Sequence, residues 1–150
     1  MAEPATLFTI GYQEALPAAV TETLKAAGVQ LLVDVRAVTA SRRPGFSKRQ
    51  LAAGLAEAGI DYLHLRALGT PAAGRHAART GDYAGLKRIY DVQLATPEAQ
   101  AELADLAGIV ARGRRACLLC FERQPEHCHR HIVADRLAEE LGCAVRHLLP

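Results

Sequence analysis

Gln30-Leu31-Leu32-Val33-Asp34-Val35 is apolar on both faces of an extended chain, and its reading decides the fold. A strand that shows one face to water alternates polar and apolar residues. A continuous apolar run instead marks a strand covered on both sides, as in a parallel sheet with helices above and below it. Upstream, Glu14–Ala27 carries Leu16, Val20 and Leu24 at helical spacing and stops at Gly28. Before that helix, Thr6–Gly11 reads as a short buried strand ending at a glycine. Downstream, the loop Arg36–Phe46 leads to Ser47, an N-cap for a helix through Leu51 and Leu55 that closes at Gly59.

The alternation continues to the C-terminus. Ile60–Leu65 is a third strand, and Arg66–Asp82, with Gly69, Pro71, Gly74 and Gly81, reads as irregular. Helical patterns follow at Tyr83–Leu94 and Pro97–Arg112, the second entered through Thr96 and Pro97. Ala116–Phe121 is a fourth strand, Cys128–Leu141 a helix closed by Gly142, and Cys143–Leu148 a fifth strand. Strands alternating with helices imply right-handed crossovers. The expectation is one α/β domain over residues 1–150, three layers thick. Its five-stranded, mostly parallel sheet has helices on both faces and the order 3-2-1-4-5. Ligands in such sheets sit beyond the carboxyl ends of the strands where the order reverses, here between strands 1 and 4.

Half of the 150 residues are hydrophobic and 23% are charged, which is globular rather than disordered composition. No apolar run reaches the roughly 18–20 residues of a membrane span. The start, Met1-Ala-Glu-Pro-Ala-Thr6, lacks the basic region of a signal peptide. A cytoplasmic protein without a membrane partner is expected, with its four cysteines as thiols, metal ligands or core residues before disulfides. Net charge is +2, but Arg36, Arg42, Arg43, Lys48 and Arg49 fall in one stretch without an acid, which favours an anionic ligand.

The strand ends carry the chemistry: Gly11-Tyr12, Asp34-Val35-Arg36, and Cys120-Phe121-Glu122. Cys128, placed at the start of the helix after strand 4 and flanked by His127, His129 and Arg130, is the better candidate for a reactive thiolate. Cys117 and Cys143 read as small core residues. Cys117 and Cys120 spell Cys-x-x-Cys, yet three-residue spacing on a strand puts them on opposite faces, so they do not share an ion. If a metal is bound, Cys120, Cys128 and a histidine would satisfy zinc. No cofactor is otherwise required. Asp34 and Glu122 are placed for proton transfer, Asp34 alternatively for a structural ion pair with Arg36 or Arg130. A phosphatase-type anion loop is rejected, because the segment after Cys120 is too long and lacks glycines.

The chain resembles, nearly end to end, the family catalogued as domain of unknown function 488. The resemblance rests on Thr9-Ile10-Gly11-Tyr12, on Val33-Asp34-Val35-Arg36 with Ser41-Arg42 and Pro44-Gly45-Phe46-Ser47, and on Tyr62 through Leu68-Gly69. Its most specific piece is Leu118-Leu119-Cys120-Phe121-Glu122 with Pro125 and Cys128-His129-Arg130. It implies a compact α/β domain with the Cys-x-Glu…Cys-His-Arg element in its site, and it implies no reaction. His127 and His131 lie outside the motif.

The functional expectation is an enzyme acting on a phosphate-bearing ligand, a nucleotide or nucleic acid. Gly11, Tyr12, Arg36, Ser41, Arg42, His129 and Arg130 would hold the anion. Cys120, Glu122, Cys128 and Asp34 would carry a thiol- or carboxylate-assisted hydrolase or transferase reaction. The alternatives are a non-catalytic nucleic-acid-binding module using the basic loop, and a metal- or redox-responsive cysteine site. Few aromatics and no recognised motif speak against the module.

Overall fold

A computed structural model describes residues 5–150; residues 1–4, the start of the segment read for a signal peptide, lie outside it. The first half is a regular succession: β1 (Thr6–Gly11), α1 (Pro17–Ala26), β2 (Leu31–Asp34), α2 (Lys48–Glu57) and β3 (Asp61–His64). Proline, rather than Glu14, opens α1, because its fixed φ and missing N–H suit the first helical position. Glu14 instead turns the chain with φ 63°. Ser47 stands at the N-cap of α2, but its hydroxyl donates to the carbonyl of Ser41 and accepts from the Ser41 N–H, so it braces the loop rather than the helix.

The segment expected to be irregular is ordered. A 3-10 turn at Arg66–Leu68 is followed by α3 (Ala72–Arg79). Gly69, Pro71 and Gly74 disguise this helix as a loop. Gly74 is needed for packing, since a Cβ there would lie 2.4 Å from Thr70 Cγ2. Next come α4 (Tyr83–Leu94), α5 (Pro97–Ala111), β4 (Ala116–Cys120), α6 (Arg130–Leu141) and β5 (Ala144–Leu148). Side-chain caps from Asp82 and Thr96 begin α4 and α5. The last helix starts two residues later than the periodicity suggests. A 3-10 turn at Pro125–His127 and extended backbone at Cys128 precede it.

All five strands are parallel, in the order β3-β2-β4-β1-β5. The α/β three-layer class is as expected, and the edge strands are the expected ones. The two central strands are exchanged relative to the expected 3-2-1-4-5. Both are apolar on both faces, and pattern alone does not distinguish two such strands. The expectation leaned on the tendency of consecutive strands to be neighbours. Instead the β1–α1–β2 crossover spans one strand width, and β4 fills the slot. β5 then pairs with β1 from Thr6↔Ala144 to Ile10↔Leu148.

Side chains alternate between two cores. On one face, Phe8, Ile10, Leu32, Cys117 and Leu119 meet Val20 and Leu24 of α1 and Leu51 and Leu55 of α2. On the other, Leu7, Val33, Leu118 and Cys120 meet Tyr90 and Leu94, Leu103, Leu106 and Val110, and Val133 and Leu137. Each fully buried aliphatic contributes roughly 1.5–3 kcal/mol relative to exposure. That explains why β4, buried at every position, is central, while β5, which buries only Leu148, is an edge. Cys117 and Cys120 fall into different cores, as strand spacing requires. No helix among the described residues is long and apolar enough to cross a membrane.

Candidate functional site

Strand order places the cleft. The chain leaving β2 runs to α2 on one face of the sheet, and the chain leaving β4 runs to α6 on the other. The chain leaving β1 runs to α1 on the same face as α2, so β4 parts from both of its neighbours. The crevice opens at the end of β4, at the expected reversal between strands 1 and 4 and equally between β4 and β2. A cavity of about 240 Å³ occupies it. Cys120 and Glu122 come from the end of β4, Cys128 and His129 from the entry to α6, and Arg36 from the end of β2. Thr70, Arg75 and Arg79 come from α3 and the residues before it.

Cys120, Cys128 and His129 form the floor, each less than 10% exposed. Their Sγ, Sγ and imidazole nitrogen atoms lie within 4.8 Å of one another. His129 Nδ1 is 3.7 Å from the Cys120 sulfur and 3.8 Å from the Cys128 sulfur. Its Nε2 is 2.7 Å from the Val35 carbonyl oxygen, which can only accept, so Nε2 carries a proton. Nδ1 is then the ring atom turned toward both sulfurs. Tyr90 packs on the same ring with centroids 4.9 Å apart and hydrogen-bonds the Leu68 carbonyl, which fixes the imidazole plane.

The two thiols are unequal. Burial opposes a thiolate at Cys128, but a hydrogen bond from the Cys120 thiol and the charges of His129 and Arg130 outweigh it, and its pKa falls well below the usual range. Cys120 is driven the opposite way, first by that hydrogen bond and then by burial. Cys128 is thus the more acidic thiol, although it lies ahead of the helix rather than in its first turn. Its N–H is already bonded to the Pro125 carbonyl. Glu122, half-buried, is raised to about 7 by burial and by the negative charge at Cys128. Its carboxylate has no hydrogen-bond partner among the described residues.

Asp34 and Arg36 are together but closed. Asp34 is fully buried. One carboxylate oxygen accepts from the Arg36 N–H and Nε, and the other from an Arg36 terminal nitrogen at 2.7 Å and from the Tyr62 hydroxyl. Another terminal nitrogen of Arg36 donates to Tyr12 Oη and the Phe46 carbonyl. Burial alone would weaken the Arg36 charge, but Asp34 reverses that and raises its pKa. The Tyr62 hydroxyl is also raised, by burial and then by its bond to Asp34. Asp34 is absent from the cavity lining, so the structural ion pair replaces the proton-transfer role. Arg130 is also turned inward: it is fully buried and donates to the Glu122 and Arg123 carbonyls at 2.5 and 3.2 Å. It shapes the 122–128 loop and places positive charge beneath the thiols instead of gripping a ligand.

The other expected anion-binding residues divide. Tyr12 lines the cavity, stacked on Phe46 with Phe121 against its edge. Gly11 allows close approach, because a Cβ would stand 1.7 Å from the Glu122 carbonyl oxygen. Ser41 accepts from the Arg43 N–H within its loop, and Arg42 is exposed away from the cavity. Arg43 bonds the carbonyls of Tyr12 and Ala15. The basic loop is therefore partly internal structure. What sequence reading missed is the wall from α3: Arg75 and Arg79, one turn apart, and the buried Thr70 hydroxyl, which has no partner among the described residues. Arginines at i and i+4 in an alanine-rich stretch were the available signal.

No curated protein and no solved structure matches the chain. The family model described as Domain of unknown function DUF488 matches residues 17–137, which span β2, the arginine wall of α3 and the whole Cys120–Arg130 element. The chain belongs to the DUF488 family of domains of unknown function.

Proposed function

We propose that this protein is an enzyme acting on a small phosphate-bearing ligand, or on a phosphate-bearing end of a larger one, in the cleft at the end of β4. One observation carries the reading. Cys120, Glu122, Cys128 and His129 line a cavity to which α3 contributes Arg75 and Arg79. Reactive groups and arginines that line one cavity of about 240 Å³ suit a ligand held by its charge and transformed at its other end. Thr70 strengthens the case, since a buried hydroxyl without a partner is costly unless a ligand or water satisfies it.

In this reading the anion binds the α3 arginines and Tyr12 supports the ligand's body. Glu122 moves the proton, having no competing hydrogen bond. All four cysteines are without a disulfide, as the reducing cytoplasm would keep them. The test is calorimetric binding of inorganic phosphate and a panel of nucleotides and phosphorylated oligonucleotide ends, with turnover assayed on those that bind. Arg79→Ala should weaken binding, while Glu122→Gln should bind as the parent does and lose turnover. Equal binding by the parent and an Arg75→Ala/Arg79→Ala double variant would remove this reading.

A further inference from the structure

The two sulfurs and the imidazole nitrogen on the cavity floor are gathered around one point, all within 4.8 Å of one another. A thiolate–imidazolium pair puts one N–H on one sulfur. Here the His129 Nδ1 is nearly equidistant from two, at 3.7 and 3.8 Å. Tetrahedral zinc with Zn–S near 2.3 Å and Zn–N near 2.0–2.1 Å sets S···N at about 3.5–3.6 Å, so a small inward movement would close the set. The second ring nitrogen donates to the Val35 carbonyl at 2.7 Å, the bond by which metal-bound histidines are oriented and their basicity raised. Sequence distance does not obstruct the site. Cys120 comes from a central strand, and Cys128 and His129 from the following loop, whose two ends Arg130 ties together through the Glu122 and Arg123 carbonyls.

We propose that Cys120, Cys128 and His129 hold one zinc ion, with its fourth coordination position open to the cleft. Two sulfurs and an imidazole select zinc over magnesium or calcium, which take oxygen ligands. Three protein ligands with a free position are the arrangement of catalytic rather than structural zinc. All three line the cavity, so the free position is reached from the ligand's side. Glu122 lines the same cavity but is not part of the three-ligand cluster, which leaves it to accept a proton rather than to ligate. A zinc-bound water would then give its proton to Glu122, and the hydroxide would add to the electrophilic atom of the ligand. Glu122 would return the proton to the departing group, so the net reaction consumes one water. Cys117 and Cys143 take no part; Cys117 is buried in the opposite core.

The site deepens the reading of the cleft as catalytic, yet it stands on ligand geometry and is tested without turnover. The full chain, purified reduced and stripped with a chelator, is titrated with Zn²⁺ against a chromophoric competitor and separately with Co²⁺. One equivalent should bind, with thiolate-to-cobalt charge-transfer absorption. Cys120→Ser, Cys128→Ser and His129→Gln should each lose at least roughly 100-fold in affinity, since even outer partners of such sites cost 10–100-fold. Cys117→Ser and Cys143→Ser should bind as the parent does. As a variant-free measurement, Zn²⁺ should slow alkylation of Cys120 and Cys128 in the parent chain, as mapped by mass spectrometry. Zinc affinity no greater than that of the Cys120→Ser/Cys128→Ser double variant, or protection mapping to other cysteines, overturns the site. Arg79→Ala should leave zinc affinity unchanged, so failure of the metal site and failure of the phosphate reading give different results.

Discussion

Two buried polar clusters sit side by side at the ends of adjacent strands, and they differ in whether their valences are used. At the end of β2, Asp34 accepts four hydrogen bonds, and Arg36 answers with bonds to Asp34, Tyr12 and Phe46. At the end of β4, Cys120 and Cys128 share one imidazole nitrogen, and the Glu122 carboxylate has no partner among the described residues. The first cluster is complete without a ligand and behaves as a clamp on the Arg36–Phe46 loop. The second is incomplete. A carboxylate without a partner beside two thiols is free to meet a ligand, so the incomplete cluster is where the proposed chemistry is placed. Charge and burial alone do not separate the two clusters; hydrogen-bond accounting does.

The sharpest way to break the contrast is Asp34→Ala. It leaves the Arg36 charge buried and unpaired, and urea unfolding should show a loss of about 3–5 kcal/mol. A change below about 1 kcal/mol would mean that the clamp is not structural. Next, Gly11→Ala drives a Cβ into the Glu122 carbonyl. Stability should fall by about 1–3 kcal/mol, the cost of overpacking. Because the displaced backbone carries the loop to Cys128, its zinc affinity should fall as well.

Glu122→Gln should do the reverse of Asp34→Ala, reducing turnover by roughly 10²–10⁴-fold while leaving the fold intact. In metal-free protein it should also alter the pH profile. The folded carboxyl is raised above its usual 4.5 to about 7, so the parent is most favoured below 4.5 and loses that advantage as the pH rises to 7. The glutamine variant should lack this decline; an identical decline in parent and variant would show that Glu122 is not the group responsible. The smallest effect belongs to the sheet edge. His147, bonded to the Thr9 hydroxyl, has its pKa lowered from 6.5, chiefly by burial. Its neutral form suits the fold, so it contributes stability above about 6.5 that declines as the pH falls below that value. His147→Gln should flatten this slight acid-side slope and leave the cleft's titration untouched.

Much of the fold was legible in the chain. The run Gln30–Val35 announced a covered strand, and Gly28, Gly59 and Gly142 ended helices where they were expected to, each with positive φ. The Cys120–Arg130 element was legible as the site because cysteines, a histidine and a glutamate were crowded around a strand end. Arg130 was not legible as a buried anchor, since nothing local tells whether a guanidinium turns toward a ligand or toward two backbone carbonyls. The α3 helix was hidden by its own packing glycine, and with it the arginine wall.

By itself the sequence determined the strand–helix alternation, the two edge strands, and the separation of Cys117 from Cys120. These follow from local periodicity, from side-chain polarity and from the two-residue repeat of a strand. Tertiary structure alone decided which of two equally apolar strands lies beside β2. That choice set Cys120 next to Val35, whose carbonyl aims His129 at both sulfurs. The site depends on a pairing between residues more than eighty positions apart, and no local pattern encodes that pairing.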